Sequence, residues 1–230
     1  MLRARIPALV IVAVAPLLAG CVGDEPTVAL LVADGSDASS RAVDVARFTD
    51  RVEATCDECR VQVFDAEGDA ATQKSQARQA EATSADVVVV VPVDTDGLDT
   101  LTGSDLPVVS LGELVPGSDR FVGLAGGALP TQRGTDLAAA REVLLGDEEA
   151  MTYVPTGAMS ERAADVAVAF LADTPAADAE VVDGVESWLY ESQEVTVDTL
   201  TSVLVGQGVV TLDDLCSGET AKRCVRLGLR

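Results

Sequence analysis

The 230-residue chain has no histidine. His-dependent acid–base catalysis, Ser-His-Asp triads and histidine-ligated zinc are therefore excluded, which removes much of the enzyme repertoire. Aromatic residues are scarce, at 3%. Val, Leu and Ala must then fill the interior, and a pocket that stacks sugars on aromatic rings is poorly supplied. Basic residues are few: 16 Lys and Arg stand against 38 Asp and Glu, a formal charge of −22. An acidic field repels phosphate backbones, and no stretch combines clustered Lys/Arg with aromatics, so nucleic acid is not an expected partner. There is no internal repeat, sustained heptad or Gly-rich phosphate loop, and no cofactor or metal is implied.

The densest apolar feature is residues 86–96, DVVVVVPVDTD, in which five consecutive valines precede Pro92, Val93 and Asp94. A strand buried on one face alternates apolar and polar residues, whereas an unbroken β-branched run belongs to a parallel sheet covered by helices on both faces. In such sheets ligands sit outside the carboxyl ends of the strands, which makes Asp94 a candidate site residue, with Asp96 beside it. Strand-like segments at 27–33, 61–64, 106–111 and 120–124 alternate with helical patterns at 40–55 and 70–83 and a brief turn at 98–101. This spacing predicts an α/β fold, a three-layer doubly wound and mostly parallel sheet built of right-handed βαβ units. A helix over 131–145, a strand over 150–154 that completes the sheet, and a helix over 160–171 capped by Ser160 come next. Residues 174–184 read as a linker. Beyond it, 186–191, 193–197 and 208–212 read as short extended pieces around a helix at 198–205.

At the amino end, Arg3 and Arg5 precede an apolar run over 6–18 and then Leu18-Ala19-Gly20-Cys21. These are a charged n-region, an h-region and a small-residue cleavage site. The segment resembles a bacterial lipoprotein signal, which implies cleavage before Cys21 and diacylglycerol on its thiol. The protein would then be anchored by lipid to the extracytoplasmic face of a cell membrane. A membrane-spanning helix needs roughly 20 apolar residues, more than this run offers. Loss of the two arginines takes the formal charge to −24.

Four cysteines remain, Cys56, Cys59, Cys216 and Cys224, an even number in a chain expected to be exported, where disulfides persist. Three connectivities are open, and proximity in sequence favours Cys56 with Cys59 and Cys216 with Cys224. Redox CxxC motifs open a helix after a strand; Cys56-Asp57-Glu58-Cys59 ends a helical stretch, so its expected role is to pin a turn.

Residues 55–79, TCDECRVQVFDAEGDAATQKSQARQ, followed by ADVVVVVPVD and LPVVSL, resemble the first lobe of type I periplasmic sugar-binding proteins, especially xylose-type lipoproteins of actinobacteria. GDEEAMTYVP with SERAADVAVAFL is similar to the segment where that family returns from its second lobe to its first. Residues 195–228 are similar to its carboxyl terminus with a cysteine pair. The resemblance implies one lobe of that fold over residues 27–175, after a signal at 1–20 and a lipidated tether at 21–26. A linker and disulfide-pinned irregular tail would occupy 176–230. Leu145 and Met151 are separated by five residues, where the family has on the order of a hundred residues of second lobe. By the same resemblance Arg41 stands where relatives supply Arg or Lys to sugar hydroxyls, and Gly112-Glu113 stands where they commonly show Asp-Arg. Arg41 would donate to a polyol, and Asp94 and Glu113 would accept. Asp34, Asp37 and Asp96 are expected to be loop and cap residues. Trp188 and Tyr190 fall at the family's third crossing between lobes, and core packing is their expected use.

The implied function is non-enzymatic: a lipid-anchored solute-binding protein of an ABC importer, taking a pentose-like monosaccharide and docking on a permease, with a degenerate second lobe. The alternative is an interaction or structural lipoprotein that has lost sugar binding and uses its exposed cleft face for a protein partner or for self-association. A glycosidase built on Asp65, Asp94 or Glu113 is not expected, since carboxyl pairs are unavoidable among 38 acids and nothing fixes two at a catalytic separation.

Overall fold

The computed structural model describes residues 25–33, 43–126 and 137–230. Cys21, Arg41, Asp34, Asp37 and the signal segment lie outside the described residues.

The valine run forms β3 (Val87–Val90), every residue of which is buried. It lies beside β1 (Thr27–Val32), also buried throughout. β2 (Arg60–Asp65) flanks β1 on the other side; β4 (Val108–Gly112) and β5 (Arg120–Leu124) continue beyond β3, all in parallel. Alternate residues of each strand face opposite ways. Leu30, Val89 and Leu111 pack under α1 (Val45–Thr55) and α5 (Thr156–Leu171), whereas Leu31, Val90 and Val108 pack under α2 (Ala70–Ala82) and α3 (Asp99–Thr102). This is the three-layer, doubly wound α/β unit that the unbroken valines require. The sheet closes with β8 (Val185–Tyr190), parallel to β5, and β7 (Glu180–Val182), which pairs antiparallel to β8 and forms the edge.

A strand over 150–154 was expected to complete this sheet, and the structure differs. β6 (Ala150–Tyr153) pairs antiparallel with β9 (Gln193–Thr196) in a separate two-stranded sheet. The residues explain why. Met151 and Tyr153 are buried while Thr152 is not, the alternation of a strand covered on one face only. With α4 (Leu137–Leu145), a π-helical turn (Thr201–Val205), α6 (Leu212–Leu215) and α7 (Ala221–Leu227), these strands enclose a second core around Leu144, Leu200, Leu204 and Leu215. Cys216 and Cys224 are joined within that core, and Cys56 and Cys59 are joined at the end of α1, so the two local pairings hold. The extended piece expected over 208–212 is instead a turn leading into α6, whose first N–H groups are capped by Thr211. Residues 186–190, expected in the tail, belong to the main sheet, where Trp188 and Tyr190 of β8 meet the first core.

Ser160 is not the cap of α5. The helix begins four residues earlier, at Thr156 after Pro155. Ser160 is buried instead, donating to the Thr156 carbonyl (2.7 Å) and accepting the Asp44 N–H (2.8 Å), which ties α5 to the start of α1. Asp44 caps α1, and Asp69 caps α2. Trp188 packs in the first core and donates from Nε1 to the Ala177 carbonyl at 2.7 Å; Tyr190 donates to the Ala158 carbonyl at 3.4 Å. Both aromatics thus serve packing, as expected.

The end of β3 is held by a buried side chain. Gln73 of α2 donates from Nε2 to the Val91 carbonyl (2.9 Å), and its Oε1 accepts the Val93 N–H (2.8 Å), standing in for the next rung of a ladder. Replacing Gln73 by Leu leaves both backbone groups without a partner. Gln73→Leu should lower stability by about 2 kcal/mol and Tm by about 4–8 °C, measurable by thermal denaturation; an unchanged Tm would show that the clamp is dispensable.

Candidate functional site

Of the sequence candidates, Asp94 and Glu113 follow β3 and β4 and are not gathered into one site. Asp94 is exposed, and its Oδ1 accepts the Asp96 N–H at 2.9 Å, which makes it the closing group of its own turn. Glu113 is exposed at the rim of a groove of about 460 Å³ on the β5–β8 side of the sheet, which Asp94 does not line. The groove floor is apolar, with Phe121, Leu124 and Leu189. The Phe121 ring lies across Gly123, where a Cβ would meet it at 2.1 Å, so only glycine fits beneath.

A different place brings polar groups together. The chain passes between the two cores at the peptide joining Tyr153, which belongs to the second core, to Val154, which belongs to the first. Beside this crossing is a cavity of about 430 Å³, formed by the start of α1, the start of α5, the end of β6 and the turn at Gln207-Gly208-Val209. Arg47 spans it. Its Nη1 meets Glu161 Oε1 at 3.3 Å, its Nε lies 3.5 Å from Asp44 Oδ2, and its Nη2 donates to the Gly208 carbonyl of the second unit at 3.5 Å. Gly157 makes room for it: a Cβ there would stand 2.9 Å from Arg47 Cδ. Beside this group Arg51 of α1 grips Asp165 of α5 through two hydrogen bonds of 2.6 and 3.1 Å. Asp165, by hydrogen bond and then by charge, raises the pKa of the Arg51 guanidinium.

Tyr153 lines the same cavity with only 5% of its surface exposed, and among the described residues its hydroxyl has no hydrogen-bond partner. The ring is buried and the hydroxyl opens on a space large enough for a ligand. Burial pushes the phenol pKa upward, and the Arg47 charge pulls it part of the way back. Thr156 and Gln207 add further polar side chains at the wall. None of these residues stands out in the sequence. Asp44 and Arg47 look like ordinary helix-surface charges, and Tyr153 looks like one apolar position of a strand. The signal that could have found them is the Tyr153-Val154-Pro155 crossing itself, where alternation gives way to an apolar pair before a helix.

Among the described residues, no group of three or more His, Cys, Asp or Glu is placed to hold a metal ion, and no helix is long and apolar enough to cross a membrane.

No family model and no curated protein matches this chain. Solved structures do. An ABC transporter solute-binding protein from Clostridium phytofermentans with bound β-D-glucose is similar at a TM-score of 0.65 and 11% identity, over 82% of this chain and 99% of that one. A carbohydrate transporter solute-binding protein from Chloroflexus aurantiacus in complex with D-glucose is similar at 0.60 and 11%, over 83% and 97%. The Caulobacter myo-inositol binding protein bound to myo-inositol is similar at 0.61 and 12%, over 80% and 98%. At such identities the likeness is one of fold.

The Tyr153 environment has a measurable consequence. Because the folded-state pKa is raised above that of the unfolded chain, folding favours the neutral phenol. The stability it contributes is full below pH 10.0, the ordinary value, and is lost as pH rises from there through the higher folded value. Denaturant midpoints measured between neutral pH and alkali should fall more steeply for the natural chain than for Tyr153→Phe; parallel curves would place the phenol outside this environment.

Proposed function

We propose that the chain is a lipid-anchored, extracytoplasmic solute-binding protein of the sugar-binding type that serves an ABC importer and works with a much reduced second lobe. The observation that carries this reading is the cavity at the crossing between the two units, into which Tyr153 presents an unpartnered hydroxyl. The same fold holds glucose and myo-inositol in the solute-binding proteins described above, and a polyol is the chemistry that Tyr153, Thr156 and Gln207 suit, as neutral donors and acceptors at one wall. The reduced lobe is argued from the second unit, whose sheet has only two strands. The role is one of binding rather than catalysis. A pentose or related monosaccharide is the proposed solute, a permease the proposed partner, and Cys21 the proposed lipid site.

A second reading, an interaction lipoprotein without transport, is favoured by the apolar groove lined by Phe121, Leu124 and Leu189. It requires a protein partner or self-association, and a strictly monomeric species by light scattering together with no partner in a cross-linking pulldown would remove it.

The solute-binding reading is tested by thermal shift and calorimetry across monosaccharides. A ligand at a hundredfold excess over its Kd should stabilise the protein by about 2.7 kcal/mol, a rise in Tm of about 5–10 °C. No response to any monosaccharide at millimolar concentration would overturn it. Anchoring is tested separately: Cys21→Ser should abolish the diacylglyceryl mass increment and move the protein from the membrane fraction to the soluble one. Unchanged membrane retention would overturn the lipid site.

A further inference from the structure

The crossing cavity carries an unequal set of charges. We infer that its solute is an amine-bearing polyol, an amino sugar or amino alcohol, in preference to a neutral or acidic sugar. This rests on the solute-binding reading above and names the class of solute within it.

Among the described residues, the charged groups at the wall are Asp44, Glu161 and Arg47, two carboxylates for one guanidinium. Arg47 is committed to both: its Nη1 takes Glu161 Oε1, its Nε faces Asp44 Oδ2, and its Nη2 is turned to the Gly208 carbonyl. The guanidinium is thus already set between two carboxylates, and an acidic solute would meet both of them beside the one cation. Arg51 does not alter the balance, because it is held by Asp165 in a neutral pair. Among the described residues one negative charge is left over, and the hydrogen bonds leave Glu161 Oε2 unused. The whole chain, at −22, adds a long-range field that draws cations toward any cleft it lines.

Charge alone would describe any acidic surface. Tyr153 makes this place a site: it is 5% exposed, lines the cavity, and its hydroxyl has no partner among the described residues. An ammonium set against Glu161, with the neighbouring hydroxyls of the same solute reaching Tyr153, Thr156 and Gln207, uses the surplus charge and the free polar groups together. A neutral hexose uses only the second set.

The test is calorimetry on the full chain with glucosamine, N-acetylglucosamine, glucose and glucuronate, at low salt and about pH 6, where a primary amine is charged. Glucosamine should bind roughly tenfold more tightly than glucose, as expected for one uncompensated charge near the solvent boundary. N-acetylglucosamine, whose nitrogen is uncharged, should fall back toward glucose; glucuronate should be the weakest; and the glucosamine advantage should shrink as salt is raised. In Glu161→Gln, with a cooperative melt confirming the fold, the ratio between glucosamine and glucose should narrow several-fold. Glucose binding as tightly as glucosamine, or N-acetylglucosamine matching it, would overturn the inference and leave the solute-binding reading standing. No binding by any of the four would overturn the inference, and the solute-binding reading would then be decided by the monosaccharide screen above.

Discussion

The constraint on which the rest of the structure depends is that β1, β3 and β4 are stripped of water on both faces. A sheet of that kind needs a helical layer above and below. α2 and α3 supply one layer from within consecutive βαβ units. α1 can cover only part of the other, and the remaining strip over β3, β4 and β5 is covered by α5. α5 reaches that strip only after the chain has left the main unit, run through α4 and β6, and come back. The excursion and the return across Tyr153-Val154-Pro155 are therefore tied to burying the central valines.

That return also decides where polar chemistry collects. α1 and α5 lie side by side with their amino ends together, joined by Ser160 to Asp44 and by the Arg51–Asp165 pair. Helix beginnings attract carboxylates and expose N–H groups. Arg47 must then lie over both, and it extends far enough to touch the backbone of the second unit at Gly208. Single exposed ion pairs of this sort contribute little stability. Their importance here is positional: they bring one flexible cation, two acids and a buried phenol to the seam between two separately packed cores.

The central sheet was legible because its signal is local and redundant: five valines in a row admit one environment, and the βαβ spacing admits few topologies. The two disulfides were legible from short loops. What escaped were features settled by partners distant in sequence. Whether 150–154 joined the first sheet or another depended on β9, about forty residues on, although its alternation already spoke for a strand covered on one face. Ser160 resembles a cap by type, yet Pro155 starts the helix a turn earlier and leaves Ser160 inside. Asp94 followed the rule for strand ends but spends its carboxylate on its own turn. The cavity residues lie on three segments more than a hundred residues apart in places, and each has an ordinary local explanation.

β7 gives the sheet a finish that bears on how the protein behaves in a crowd. It is three residues long, runs against the direction of every other strand of the main sheet, and presents Val181 at 70% exposure between Glu180 and the turn at Asp183. A neighbouring chain that tried to extend the ladder there would find few free amide and carbonyl groups, with carboxylates beside them. Growth by strand addition is discouraged at this side, so neighbouring molecules can touch along the β7 edge without extending the sheet through it.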